Sequence, residues 1–128
     1  MSELRYLNTD LELVTARDPA ALVAALEHAG VAPLNPVSSD GKQFRAPFET
    51  DEQHDHPEPN IAAIVTAVES LDQALRAAWD ACTLRELNVG YESGDEPKSL
   101  DQALPVELLR RVVAAGLALR ITIYAPTP

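Results

Sequence analysis

Between Arg85 and Tyr124 the chain spells out a strand, a loop, a helix and a second strand, and this unit limits the folds open to the remainder. Its last segment, Leu117 to Tyr124, alternates Leu117, Leu119, Ile121 and Ile123 with Ala118, Arg120, Thr122 and Tyr124, the period of two expected of a strand with one buried face. Ahead of it, Pro105 suits a first helical position, where its missing N–H costs nothing, and Gly116 suits the residue just past a helix end. Between these bounds Val106, Leu109, Val112 and Val113 recur at helical spacing and are expected to cover a sheet, with Glu107, Arg110 and Arg111 turned away. Arg85 to Glu92 alternates again, Leu87, Val89 and Tyr91 against Glu86, Asn88 and Gly90. Two strands joined by a helix make a βαβ crossover, right-handed when both lie in one sheet.

The earlier chain repeats the same vocabulary. Tyr6 to Val14 reads as a strand with Leu7, Thr9, Leu11 and Leu13 inward and Asn8, Asp10 and Glu12 in solvent. Asp18 and Pro19 open a helix that carries Leu22, Val23, Leu26 and Ala29 on one face and stops at Gly30. Val31 to Val37, broken by Pro33 and Pro36, suits only an edge strand or an extended linker. The Asp40-Gly41 pair predicts a hairpin into a strand over Lys42 to Thr50, where Phe44, Ala46 and Phe48 alternate with Gln43, Arg45 and Pro47. Thr50 to Pro59 is a polar loop. Asn60 is expected to cap a helix bearing Ile61, Ile64, Val65, Val68 and Leu71; a break near Ser70, whose spacing to Gln73 suits a capping box, separates it from a stripe of Leu75, Ala78, Trp79 and Cys82. The resulting order, β-α-β-β-α(α)-β-α-β, predicts an α+β, two-layer sandwich: a ferredoxin-like βαββαβ core with an additional C-terminal αβ unit, spanning residues 1–128 as a single domain.

Charge narrows the partners. Ten Lys plus Arg against twenty Asp plus Glu leave the 128 residues with a net charge of -10, which repels phosphate backbones and anionic membranes, so neither nucleic acid nor membrane is an expected partner. The single cysteine, Cys82, forbids an internal disulfide and is read as a buried small hydrophobe. With no signal-peptide pattern at residues 1–10 and no run of eighteen apolar residues, the expected location is cytoplasmic.

Two stretches carry candidate chemistry. His54 and His56, two apart in a loop with Asp51, Glu52, Asp55 and Glu58, have the residue types of a zinc-like metal site, although no third distant ligand is signalled. The loop Tyr91 to Ser99 leaves a strand end, where ligand crevices of open sheets tend to lie, and offers Glu92, Asp95 and Glu96 to a basic partner. It lacks the glycine spacing of a phosphate loop, and no Ser-His-Asp order or nucleophile elbow occurs.

The run Arg85-Glu86-Leu87-Asn88-Val89-Gly90-Tyr91-Glu92-Ser93-Gly94-Asp95-Glu96-Pro97, with Leu108-Leu109 and the closing Leu119-Arg120-Ile121-Thr122-Ile123-Tyr124, resembles small uncharacterised bacterial proteins of the domain-of-unknown-function kind. The resemblance covers about the last third of the chain and brings no active residues with it. Some proteins of that kind are suspected immunity proteins against secreted toxins, which implies a binding role. The leading expectation is therefore a non-enzymatic interaction protein, without a cofactor, whose carboxylates match a basic partner. One alternative is a small metal-dependent or acid-base enzyme using the His54 to Glu58 loop. The other is a homo-oligomeric module joined through an exposed sheet edge.

Overall fold

The computed structural model describes residues 2–126. Six strands and four helices follow one another as β1 (Arg5–Thr15), α1 (Ala20–His28), β2 (Val31–Pro33), β3 (Ser38–Ser39), β4 (Phe44–Thr50), α2 (Pro57–Glu69), α3 (Gln73–Asp80), β5 (Leu84–Glu92), α4 (Val106–Ala114) and β6 (Ala118–Tyr124). This is an α+β architecture with all the strands in one sheet. Its order is β2-β4-β1-β5-β6, and β3 pairs with β4 off that path. Every pairing between these strands is antiparallel except β5 with β6, which is parallel, as a strand-helix-strand crossover requires. The hairpin read at Asp40-Gly41 forms, with the Asp40 carboxylate accepting from the Lys42 and Gln43 amides at 2.8 Å each.

One face of the sheet carries the core. Leu11, Leu13, Ala46, Phe48, Leu87 and Val89 pack beneath Leu22 and Leu26 of α1, Ile61, Ile64, Val65 and Val68 of α2, and Trp79 of α3. Trp79 is fully buried, and its indole N–H donates to the Ala115 carbonyl at 2.7 Å, so the largest core side chain is satisfied at its one polar atom. Arg85, at the start of β5, closes the end of α3 by donating to the carbonyls of Trp79, Asp80 and Cys82, and reaches the Gly116 carbonyl as well. A cation at a helix C-terminus is favoured by both the free carbonyls and the dipole. The opposite face of the sheet carries the alternate residues Asn8, Asp10, Glu12, Pro47, Glu49, Glu86 and Asn88, none of them buried.

Four readings of the sequence are corrected. Leu7 is not in the core. The β1–β5 register slips between Tyr6 and Asn8, so Tyr6 turns inward, 8 % exposed, while Leu7 is left 36 % exposed. Asn60 does not cap α2, which begins at Pro57 with proline inside the first turn; Asn60 is fully buried one turn in. The break after α2 falls where expected, but the cap of α3 is Asp72, whose carboxylate accepts from the Leu75 amide at 2.9 Å, and not Ser70. The largest correction concerns the C-terminal unit. On α4 the buried residues are Leu108 and Val112, followed by Ala115 and Leu117, whereas Val106, Leu109 and Val113 are 62 %, 42 % and 76 % exposed. On β6, Leu119, Ile121 and Ile123 lie in register beside Leu87, Val89 and Tyr91, yet stand 50 %, 62 % and 66 % exposed.

The contacts of α4 show which flank meets α2. The Arg111 guanidinium donates to both Glu69 carboxylate oxygens, at 3.0 and 2.8 Å, and to the Thr66 hydroxyl at 3.0 Å, which fixes one flank of α4 against α2. Leu109 and Val113 each sit two residues from Arg111, about 200° around the helix, and so face away from α2. The helix has two apolar stripes, and the contact with α2 decides which one is buried.

Candidate functional site

Asn60 is the centre of a buried hydrogen-bond network that joins β1, β4 and α2. Its side-chain oxygen accepts from the Thr9 amide at 2.8 Å and from the Tyr6 hydroxyl at 2.9 Å, and its amide nitrogen donates to the Thr50 hydroxyl at 2.8 Å. The Tyr6 hydroxyl also lies 2.6 Å from the Thr9 hydroxyl, and the Thr50 hydroxyl donates to the Glu52 carbonyl at 2.7 Å. A buried network of this kind holds only when every member is paired. Burial pushes the Tyr6 phenol up to about 12, so it remains a neutral donor at physiological pH. The network clamps the irregular turn of β1 to the end of β4 and the first turn of α2.

That clamp shapes a cleft on the surface. Because the backbone slips after Tyr6, Leu7 and Asn8 lie side by side at the rim of a depression of about 210 Å³, completed by Glu49, Thr50, Asp51, Gln53 and His54. His54 Nε2 is buried against this wall without a hydrogen-bond partner. The cleft runs onto the open face of the sheet through Asn8, whose side-chain nitrogen donates to Asp10 at 2.9 Å and to Glu49 at 3.5 Å.

The open face concentrates like charge. The register that sets Leu11 opposite Phe48 continues to bring Asp10 beside Glu49, and Glu12 lies directly across from Glu86. Desolvation first, and the Glu49 carboxylate second, raise the Asp10 carboxyl above its ordinary range. Glu12 is raised by desolvation, then by Asp10 and Glu86, with Arg45 opposing. Glu86 has a partner, the Arg120 guanidinium at 2.7 Å. Asp10 and Glu49 share the Asn8 amide, and among the described residues neither forms an ion pair. Like charges facing each other across a sheet are destabilising, and a cation laid over them would relieve that cost.

The residues singled out from sequence are dispersed. His54 lines the cleft, but His56 turns to Asp55, its Nδ1 2.6 Å from the carboxylate, and this contact lowers the Asp55 carboxyl. Among the described residues no group of three or more His, Cys, Asp and Glu side chains converges as a metal site. Glu92 is paired with Arg5 at 3.3 Å. Asp95 accepts from the Ser2 amide at 3.2 Å, and the Glu96 carbonyl accepts from the Leu4 amide at 2.7 Å, so this loop tethers the N-terminal segment. Cys82 is buried, and burial raises its thiol, which keeps it protonated and unreactive. The pairing of Asp10 with Glu49, and the place of Leu7 and Asn8, escape a linear reading because they depend on which strand lies beside β1. The one legible signal is the Asn8, Asp10, Glu12 alternation, which marks an uncovered face.

Comparison with protein-family models, with curated proteins and with solved structures finds no match for this chain. No helix among the described residues is long and apolar enough to cross a membrane.

Proposed function

We propose that the chain is a non-enzymatic interaction protein that binds a basic partner, in the manner of a toxin-neutralising immunity protein. The partner lays its cationic side chains over Asp10 and Glu49 and into the adjoining cleft. The observation that carries this reading is the carboxylate pair itself: two acids held close by one shared amide, with no cation of the chain's own among the described residues. Glu12 and Asp51 extend the acidic surface to either side. Rows of one sign steer association and select partners more than they add affinity, which fits a neutralising role. The ferredoxin-like reading of the framework is supported by the order β2-β4-β1-β5 with antiparallel neighbours, to which α4 and β6 are appended.

Affinity capture from the producing cells, with wild-type protein and an Asp10→Asn/Glu49→Gln variant as baits, tests the proposal. Wild-type bait is expected to retain a protein of basic pI at low salt and to release it at high salt, and the double variant is expected to retain much less. A parallel Glu92→Gln/Asp95→Asn/Glu96→Gln bait separates the sheet face from the loop. Capture that is unaffected by the double variant, or no basic protein in the wild-type eluate, would refute the proposal.

A further inference from the structure

The two edges of the sheet are treated differently. The β2 edge is three residues long, contains Pro33 and runs on to Pro36, all of which blunt strand addition. The β6 edge is seven residues long without a proline, and its helix-side row, Leu119, Ile121 and Ile123, is uncovered. On α4, Leu109 and Val113 face away from α2 and line an open groove with Val106. Side chains exposed to this degree along a strand and a helix amount to several hundred Å² of apolar surface. That is the scale one partner contributes to a stable interface, about 800 Å², and the upper end of what a monomer leaves open.

From this we infer that β6 pairs antiparallel with β6 of a second copy of the chain about a two-fold axis at Ile121, joining the two sheets into one. The backbone has the polarity this needs. The Tyr124 carbonyl accepts from the Ser93 amide at 2.8 Å, so the even-numbered residues of β6 turn their backbone groups toward β5. The backbone groups of Leu119, Ile121 and Ile123 therefore point outward, because direction alternates along a strand. Centred on Ile121, each outward residue meets an outward residue: Ile121 meets Ile121 of the partner subunit, and Leu119 meets Ile123 of the partner subunit. Each such pair exchanges two backbone hydrogen bonds. The side chains of these pairs all lie on the helix side, apolar against apolar.

Charge agrees with this register. Arg120 falls opposite Thr122 of the partner subunit and not opposite its own copy, and Glu86 already holds its guanidinium. Residues 105–128 carry Arg110, Arg111 and Arg120 against Glu107 alone, a net charge of +2, so residues 1–104 hold −12 of the total of −10. The carboxylates nearest the seam, Glu86 and Glu69, are each held by an arginine of this unit, Arg120 and Arg111. A surface meant only to stay soluble would be expected to have unpaired carboxylates here.

Sedimentation equilibrium at micromolar concentration is expected to give twice the 13.8 kDa chain mass. Ile121→Lys, which sets two ammonium groups face to face on the axis, is expected to give one chain mass with unchanged circular dichroism, since Ile121 is 62 % exposed within the single chain. Disulfide trapping checks the register without relying on that variant. In a Cys82→Ser background, Ile121→Cys is expected to cross-link to its own copy on mild oxidation, because antiparallel hydrogen-bonded partners stand about 5.5 Å apart at Cα, within disulfide range. Leu119→Cys alone is not expected to cross-link. A wild-type mass of one chain, a dimer that survives Ile121→Lys, or trapping through Leu119→Cys in preference to Ile121→Cys would overturn the inference.

Discussion

Replacing Asn60 with alanine tests whether the buried network is a structural clamp. In the native fold Asn60 satisfies the Thr9 amide, one of two contacts of the Tyr6 hydroxyl, and the Thr50 hydroxyl as an acceptor. In Asn60→Ala the Tyr6 hydroxyl keeps the Thr9 hydroxyl and Thr50 keeps the Glu52 carbonyl, so those losses are ordinary hydrogen bonds, about 0.5 to 1.5 kcal/mol each. The Thr9 amide has no replacement. Thr9 is fully buried, and an orphaned buried donor costs about 1 to 3 kcal/mol. The sum is about 2 to 6 kcal/mol, a large share of the roughly 5 to 15 kcal/mol that stabilises a domain. Urea unfolding followed by circular dichroism should show the midpoint falling with the slope unchanged, since the surface exposed on unfolding hardly differs. Asn60→Asp sharpens the test: a protonated carboxyl can replace both the acceptor and the donor, whereas an ionised one is a buried charge without a cation. Its deficit relative to wild type should widen as pH rises from acidic to neutral. A loss below about 1 kcal/mol for Asn60→Ala, or a pH-independent deficit for Asn60→Asp, would show that the network is not what fixes β1 to α2.

Three further outcomes follow from the contacts. The Asp10 carboxyl is raised in the fold, so the native state holds its proton more tightly than the unfolded chain, and stability falls as pH rises from below the ordinary 3.8 through the raised value. Asp10→Asn should therefore gain a few tenths to about 1 kcal/mol at pH 7 and nothing at pH 3, read from urea midpoints. Arg85→Ala removes donors to four carbonyls at the end of α3 and at Gly116 and should cost about 2 kcal/mol, with Arg85→Lys recovering only part because an ammonium lacks the planar fork; thermal unfolding checks both. A methyl group at Gly94 would stand 2.5 Å from the Leu4 nitrogen, so Gly94→Ala should release the N-terminal segment and speed proteolysis near Ser2 to Arg5, while hydrogen exchange in β5 stays slow.

The sequence by itself determined the local elements and their order. The Asp40-Gly41 turn, the proline at Pro33, Gly30 and Gly116 at helix ends with positive φ, and the alternation of β1, β4 and β5 are properties of neighbouring residues, and each acts through backbone geometry that does not depend on the remainder of the fold. The acidic outer row of β1 was legible for the same reason. Tertiary structure alone decided which apolar stripe is used and which carboxylates meet. On α4 the periodicity is compatible with burial of Val106, Leu109 and Val113 or of Leu108 and Val112, and the second is the stripe that joins the core once the helix docks, on the flank where Arg111 reaches Glu69 and Thr66, 42 and 45 residues away. On β6 the pattern marks an apolar face but carries no sign of what covers it, because an edge position belongs to strand order and not to the strand. Asn60 reads as a cap in one dimension and becomes a buried hub when β1 and β4 close over it. The Asp10–Glu49 pair likewise exists only because β1 lies between β4 and β5, which sets two acids, distant in sequence, on one uncovered surface.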